Sequence, residues 1–151
     1  MMGTAMASVI DIRILGESDA ALLLEACANG VFDHPRSPEL VAEFLADARH
    51  HIVAGIVDRT LVGFVSAVHY VHPDKPPELW INEVSVAESH RSQGIGRRLL
   101  TAMLSHSRSL GCTEAWVLTE EDNVAAQRLY ASVDGAHRNV VYFTFPLIDS
   151  Q

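Results

Sequence analysis

The order of apolar runs on either side of residue 95 constrains this chain more than any other feature. A β-rich run over Glu78–Val86 gives way to a short polar loop, then to a long amphipathic segment over residues 95–110, then to a second β-rich run over residues 114–119. Wound as a helix, the middle segment places Leu99, Leu100, Met103, Leu104 and Leu110 on one side, and Gly111 stops it. A helix that joins two strands of one sheet in this way demands that those strands run parallel. The preceding segment demands the opposite. Residues 51–57 and 61–70 are β-rich runs joined by Asp58-Arg59-Thr60, a hairpin signal. The expected product is an α+β fold: a mixed, mostly antiparallel sheet with a central parallel β-α-β crossover and flanking helices.

The remaining elements follow from the same patterns. Residues 9–15 alternate and read as a first strand. Residues 19–28 read as a helix capped by Ser18 or Asp19, and residues 38–48 as a second, with Ser37 as cap and Pro38 at the favoured first position. Residues 124–133 read as a helix and residues 140–147 as a final strand. No repeat or linker interrupts the chain, so one domain is expected over residues 9–151 after a loose tail of residues 1–8. The 151 residues suffice for a proper core. Eleven basic and 19 acidic side chains give a net charge of −8, which argues against nucleic acid as a partner and suits a cationic one. No apolar run is long enough to span a bilayer, so no membrane partner is expected. Cys27 and Cys112 have no framework spacing; they read as small core residues in a reducing, cytoplasmic setting. His69 and His72 should face opposite ways at a strand end, so no metal site is expected, and His50-His51 reads as a surface pair.

Chemistry concentrates where the crossover helix begins. Backbone N–H groups at a helix start are unpaired and lie at the positive end of the helix dipole. Gly94 and Gly96 carry no Cβ, and Arg91 and Arg97 flank them with charge, which makes a cradle for pyrophosphate. No G-K-[ST] follows, and Leu99 stands where a dinucleotide fingerprint needs its third glycine. Arg91-x-x-Gly94-x-Gly96 instead resembles the R/Q-x-x-G-x-G/A acetyl-CoA loop of the GCN5-related N-acetyltransferases (GNAT), and the element order resembles that fold over nearly the whole chain. Asn123, Ala126, Leu129 and Tyr130 form N-x-x-A-x-x-L-Y, which resembles the family's second signature.

The resemblance implies a set of roles. Acetyl-CoA would lie along Val84, Ser85 and Val86, with its pyrophosphate on Arg91, Ser92, Gln93, Gly94, Ile95, Gly96 and Arg97, and with Asn123 and Ala126 beside the pantetheine arm. Tyr130 would protonate the departing thiolate. Glu83 would be the base; the alternation Leu79, Ile81, Glu83 puts it on a face that begins apolar, where partial burial raises a carboxyl pKa. Each feature also has a purely structural reading: the glycines as a tight turn, Asn123 as a helix cap, Tyr130 as a core aromatic. The family usually has Gly four residues after the Tyr; here Asp134 holds that position and the glycine is Gly135, so an altered helix end is expected.

A narrower resemblance is to the aminoglycoside 3-N-acetyltransferases of type I. It rests on Val31-Phe32-Asp33, on the run Pro77-Glu78-Leu79-Trp80-Ile81-Asn82-Glu83-Val84-Ser85-Val86, and on Gly111-Cys112-Thr113-Glu114-Ala115-Trp116-Val117. It implies direct acetyl transfer to a primary amine of a cationic small molecule, an aminoglycoside at its 3-N position. Asp33, Glu120, Glu121 and Asp122 are the expected substrate contacts. The type has Asp where this chain has Glu83, one methylene longer, which bears on regiospecificity. A protein or peptide N-acetyltransferase and a non-catalytic acetyl-CoA-binding module are the alternatives. Oligomeric state does not follow from the sequence, and a homodimer is compatible with it.

Overall fold

The computed structural model describes residues 8–149; the expected N-terminal tail, apart from Ser8, lies outside the described residues. Five strands form one sheet in chain order. They are β1 (Asp11–Ile14), β2 (His50–Val57), β3 (Thr60–Tyr70), β4 (Glu78–Val86) and β5 (Glu114–Val117). The first four pair antiparallel, and β4 and β5 pair parallel. The β2–β3 turn places Asp58 and Arg59 at φ 48° and 65°, which matches the right-handed twist of a tight hairpin.

Helices cover both faces. On one lie α1 (Ala20–Glu25) and α2 (Pro38–Ala46); on the other, α3 (Ile95–Ser109) and α4 (Val124–Ser132). The α3 face buries Val53, Val65, Ala67, Leu79, Ile81, Leu99, Leu100 and Met103. The α1/α2 face buries Ile52, Ala54, Leu61 and Phe64 against Leu23, Val31 and Val41. Two separate clusters on one sheet explain why β2 and β3 read as nearly continuous apolar runs. No helix among the described residues is long and apolar enough to cross a membrane.

Four expectations need correction. The first helix is shorter than residues 19–28, because Leu61 donates to the Ala26 carbonyl and Ala28 donates to that of Leu61, pulling Cys27 into a parallel bridge with β3. Asp19 does not cap it; its carboxylate accepts from the Gly16 N–H and pairs with Arg13 at 2.9 Å. His51 is not at the surface but 8% exposed, in a line of imidazoles: His106 Nε2 is 3.0 Å from His51 Nδ1, and His51 Nε2 is 2.7 Å from His69 Nδ1. The expected final strand is absent: residues 136–147 have no regular secondary structure. The altered end of α4 is as expected. Asp134 takes the left-handed conformation at φ 66°, and Gly135 donates to the Tyr130 carbonyl at 2.9 Å. A Cβ on Gly135 would stand 2.7 Å from that same oxygen, so glycine is needed one residue later than the family pattern places it.

Candidate active site

The site begins with a fault in β4. Along the β3 ladder Ser66 opposes Glu83 while Ala67 opposes Ile81, so Asn82 is one residue too many. Directly opposed residues of an antiparallel pair share a face, and neighbours on a strand do not. Ile81 therefore sides with Ala67 and α3, whereas Glu83 sides with Ser66 on the α1/α2 face. The expected alternation Leu79, Ile81, Glu83 is thus broken by the bulge. Glu83 leaves the apolar α3 face and is exposed rather than partly buried. Trp80 and Glu83, three residues apart, share a face, which an unbroken strand forbids.

The parallel ladder stops at the same place. Ile81 opposes Val117, and no pairing to β5 is formed by Asn82 to Val86. The two strands splay, and the backbone groups of this half of β4 that point away from β3 have no strand partner. A cleft thus opens in the sheet itself, bordered by the Val84–Val86 backbone. Ser85 is not free to hold a ligand through its hydroxyl, which donates to the Val31 carbonyl at 2.7 Å. That bond anchors the loop after α1 over the cleft. Phe32 of this loop stacks on Phe64, with ring centroids 4.3 Å apart. Asp33 follows and is exposed.

Beyond β4 the chain makes one 3-10 turn, Glu88–His90, and enters α3 through the loop 91–94. Ser92 at φ 62° and Gly94 at φ 75° are both left-handed. Gly94 is the N-cap residue and no side chain caps the helix, so the first-turn N–H groups of a 15-residue helix remain available to an anion. Arg91 Nε donates to the Val86 carbonyl at 3.0 Å, which fixes the guanidinium at the end of β4. Arg97 and Gln93 are exposed. Ile95 is 5% exposed and points into the core, so only its backbone can meet a ligand. Gly94 has open space where a Cβ would stand, but Gly96 does not: a Cβ there would lie 3.3 Å from Leu129 Cδ2 of α4. A side chain on Gly96 would press on Leu129, so the glycine eases the approach of α4 to α3.

Asn123 is the N-cap of α4, its Oδ1 accepting from Ala126 N–H at 3.1 Å. The capping role uses the carbonyl and leaves the side-chain NH₂ as a donor. Tyr130 packs half-buried against the α3-side core. Burial raises its phenol above the usual range, so the proton is retained at neutral pH. Glu83 and Tyr130 therefore flank the splay from opposite faces of the sheet. Glu120, Glu121 and Asp122 are exposed in the turn between β5 and α4. Its backbone is already engaged: Asn123 N–H donates to Glu120 O, and Gln127 Nε2 to Glu121 O. No hydrogen bond or ion pair among the described residues joins this acidic turn to Asp33 or Glu83.

An aromatic wall escaped the sequence reading. Trp80 and Trp116 oppose each other across β4 and β5 and stack with centroids 5.2 Å apart and planes 9° from parallel. Trp116 Nε1 donates to Tyr70 Oη at 2.8 Å. Through Trp80 this wall shares the face of Glu83. Arg36 was also missed; its guanidinium lies 5.2 Å from the Phe32 ring centroid and its Nε donates to the Leu23 carbonyl. The signal for the wall was present, since Trp80 and Trp116 sit at matching depths of two strands joined by a crossover.

A splayed parallel pair, an uncapped helix start beside it and a strand–helix loop with left-handed residues have the shape and donors that suit a long, phosphate-bearing ligand. The Acetyltransferase (GNAT) family profile matches residues 19–135, and the chain belongs to this family, whose acetyltransferases use acetyl-CoA. The N-alpha-acetyltransferase RimI of Mycobacterium tuberculosis is 33% identical over 131 residues, covering 86% of this chain and 80% of the relative. The mycothiol acetyltransferase of Saccharopolyspora erythraea is 35% identical over 79 residues, 51% of this chain and 24% of the relative. An L-2,4-diaminobutyric acid acetyltransferase of Streptomyces avermitilis is 31% identical over 86 residues, 56% of this chain and 47% of the relative. The matches thus span about a quarter and about half of those last two proteins. Among solved structures, an aminoglycoside acetyltransferase from an uncultured soil metagenomic sample, in complex with sisomicin, has a TM-score of 0.78 at 20% identity, covering 92% of this chain and 97% of the other. The aminoglycoside N-acetyltransferase AAC(6')-Iy in complex with CoA has a TM-score of 0.75 at 20% identity, covering 96% and 99%. These two likenesses bear on the fold alone.

Proposed function

We propose that this protein is an acetyl-CoA-dependent N-acetyltransferase whose acceptor is a primary amine of a cationic small molecule, an aminoglycoside. The observation that carries this reading is the Asn82 bulge, which turns Glu83 out to the face that bears Trp80 and Trp116. A carboxylate beside stacked indoles suits an ammonium-rich ligand, because the indole faces attract cations and the carboxylate accepts their protons.

The residues present fit acetyl-CoA. The uncapped N–H groups at the start of α3, with Arg91 and Arg97, would hold the pyrophosphate. The backbone groups of Val84, Ser85 and Val86 that point away from β3, other than the Val86 carbonyl that Arg91 occupies, would hold the pantetheine arm, and the Asn123 NH₂ would donate to it. Bound there, acetyl-CoA supplies the activated acetyl group. Glu83 takes a proton from the acceptor ammonium, directly or through water, so that a neutral amine can attack. Tyr130, on the other face, would hold its proton for the departing sulfur, and the second proton shed by the attacking nitrogen would restore the phenol. Direct transfer needs no covalent enzyme species, and Cys27 fits none: its thiol is raised by burial and donates to the carbonyls of Leu22 and Leu23. Asp33 and the turn Glu120, Glu121 and Asp122 would meet outlying ammonium groups.

The resemblance to RimI over 86% of the chain favours a second acceptor, the N-terminal amine of a peptide. The deciding experiment follows acetyl-CoA-dependent thiol release with aminoglycosides, L-2,4-diaminobutyrate and short peptides as acceptors. Aminoglycoside-dependent release that weakens with added salt is expected. NMR of the product would show whether the 3-N position carries the acetyl group. Release with peptides alone would sink the aminoglycoside reading.

A further inference from the structure

We propose that Ser85 and Arg36 are positioning residues: together they pin the loop between α1 and α2 beside Glu83 and so set the fit of the acceptor. The inference rests on the reading above that the acceptor lies on the Glu83 face.

The loop is tied to three elements. Near its start Leu61 of β3 donates to the Ala26 carbonyl at 2.8 Å, and Ala28 donates to that of Leu61 at 2.9 Å. In its middle the Ser85 hydroxyl of β4 donates to the Val31 carbonyl at 2.7 Å. Near its end Arg36 Nε reaches back to the Leu23 carbonyl of α1 at 2.8 Å. The Arg36 guanidinium also lies 5.2 Å from the centroid of the Phe32 ring, which stacks on Phe64. Val31 is 2% exposed and packs in the α1/α2 core. A loop held at so many points is a fixed wall.

The phase of β4 sets this wall beside the base. Ser85 opposes Phe64 and Glu83 opposes Ser66, so the two side chains share one face two residues apart. At the rise of a strand their Cα atoms are roughly 7 Å apart. Trp80 stands on that face too, on the other side of Glu83 along the strand. Glu83 thus sits between the loop that Ser85 holds and the stacked indoles of Trp80 and Trp116. An acceptor amine that reaches Glu83 enters between them, and the Ser85–Val31 bond fixes the gap.

The size of these contacts decides what they do. A neutral hydrogen bond is worth about fivefold in an equilibrium. That is too little to fold a loop already anchored by Val31 and Phe32, yet enough to shift where the exposed Asp33 stands. Loss of either contact should therefore show in acceptor affinity before it shows in stability.

The test measures steady-state turnover of the full chain at saturating acetyl-CoA. The varied acceptor is an aminoglycoside, or a short peptide if only that is turned over. Ser85→Ala should raise the acceptor KM about fivefold and lower kcat by a smaller factor. Ser85→Thr keeps the hydroxyl on a residue suited to a strand and should return KM toward the wild-type value. Arg36→Met keeps a stem of similar length without the donor, and should raise KM in the same direction. Amide hydrogen exchange over residues 31–33 should quicken in Ser85→Ala and Arg36→Met while exchange in α3 stays as in wild type. An unmoved KM in both variants would overturn the proposal. So would a Ser85→Thr variant no better than Ser85→Ala, or exchange that quickens throughout the molecule, since either marks a merely structural role. A wild type that turns over no acceptor would instead sink the acceptor reading, and this role with it.

Discussion

Gly94 and Gly96 stand two residues apart in one motif, yet the structure needs them for different physical reasons. Gly94 holds a left-handed cap with open space around it, whereas the missing Cβ of Gly96 admits Leu129. Gly96→Val should therefore act through the α3–α4 contact rather than by blocking phosphate. Overpacking of this kind costs about 1–3 kcal/mol. Urea unfolding should show that loss, and Leu129→Ala in the same chain should recover part of it. A double variant no more stable than Gly96→Val would mean that the side chain meets something else. Tyr130 is a separate case. Its buried phenol keeps its proton at neutral pH, so Tyr130→Phe should slow turnover by about 10²–10⁴-fold and leave CoA affinity, read by calorimetry, nearly unchanged. Wild-type turnover in the variant would reduce Tyr130 to a packing residue.

At the scale of the element, the bulge in β4 sets the bend at which the strand leaves β5. Its length matters and its side chain does not, because Asn82 is exposed and only the extra residue shifts the phase. Asn82→Ala should then stay within about 0.5 kcal/mol of wild type in stability and retain turnover. Deleting Asn82 should lower turnover sharply: Glu83 would still oppose Ser66 on the same face, but β4 would lose the bend at which it leaves β5. Equal activity of the two variants would detach the bulge from the chemistry. The same contrast shows what the sequence could convey. Ser37 before Pro38 announces the start of α2, and its Oγ does accept from Leu40 N–H at 3.1 Å; capping is local and is written in adjacent residues. The crossover was legible because the apolar period changes from two to 3.6 and back. The bulge was not, since Asn82 is counted as an ordinary alternating position until β3 is laid beside it. The early end of α1 was hidden for the same reason: it is imposed by Leu61, a residue of another element. Residues 140–147 have every local mark of a strand, and what they lack is a neighbour.

Across the whole molecule, His51 ties three elements together. It stands on β2, bonded to His69 of β3 and His106 of α3, and the sequence hid this because those two partners lie 18 and 55 positions away from it along the chain. Burial pushes the His51 imidazole down from 6.5 to about 4, helped by the neighbouring His106, His69 and His50 and opposed by Asp47. His106 is lowered in the same direction, by burial first and then by His69. The sign of the linkage follows. Between about 4 and 6.5 the unfolded chain takes up a proton on His51 that the folded chain refuses, so stability is full above pH 6.5 and falls as the pH drops toward 4. Each pH unit of that window is worth about 1.36 kcal/mol, so His51 alone would account for a loss of roughly 3 kcal/mol. This window lies above that of the lowered carboxylates, Asp19 held down by Arg13 and Glu78 by Lys75. Urea unfolding at pH 7.5 and at pH 4.5 should therefore show a drop in wild type that is much smaller in His51→Phe, which keeps a ring of similar size. Imidazole NMR gives a second reading: His51 should remain neutral at about pH 5.5, where an imidazole free in water is mostly charged. A His51 signal that titrates near 6.5 would show that the buried line of imidazoles accepts a proton freely, and the acid sensitivity would then belong to other groups.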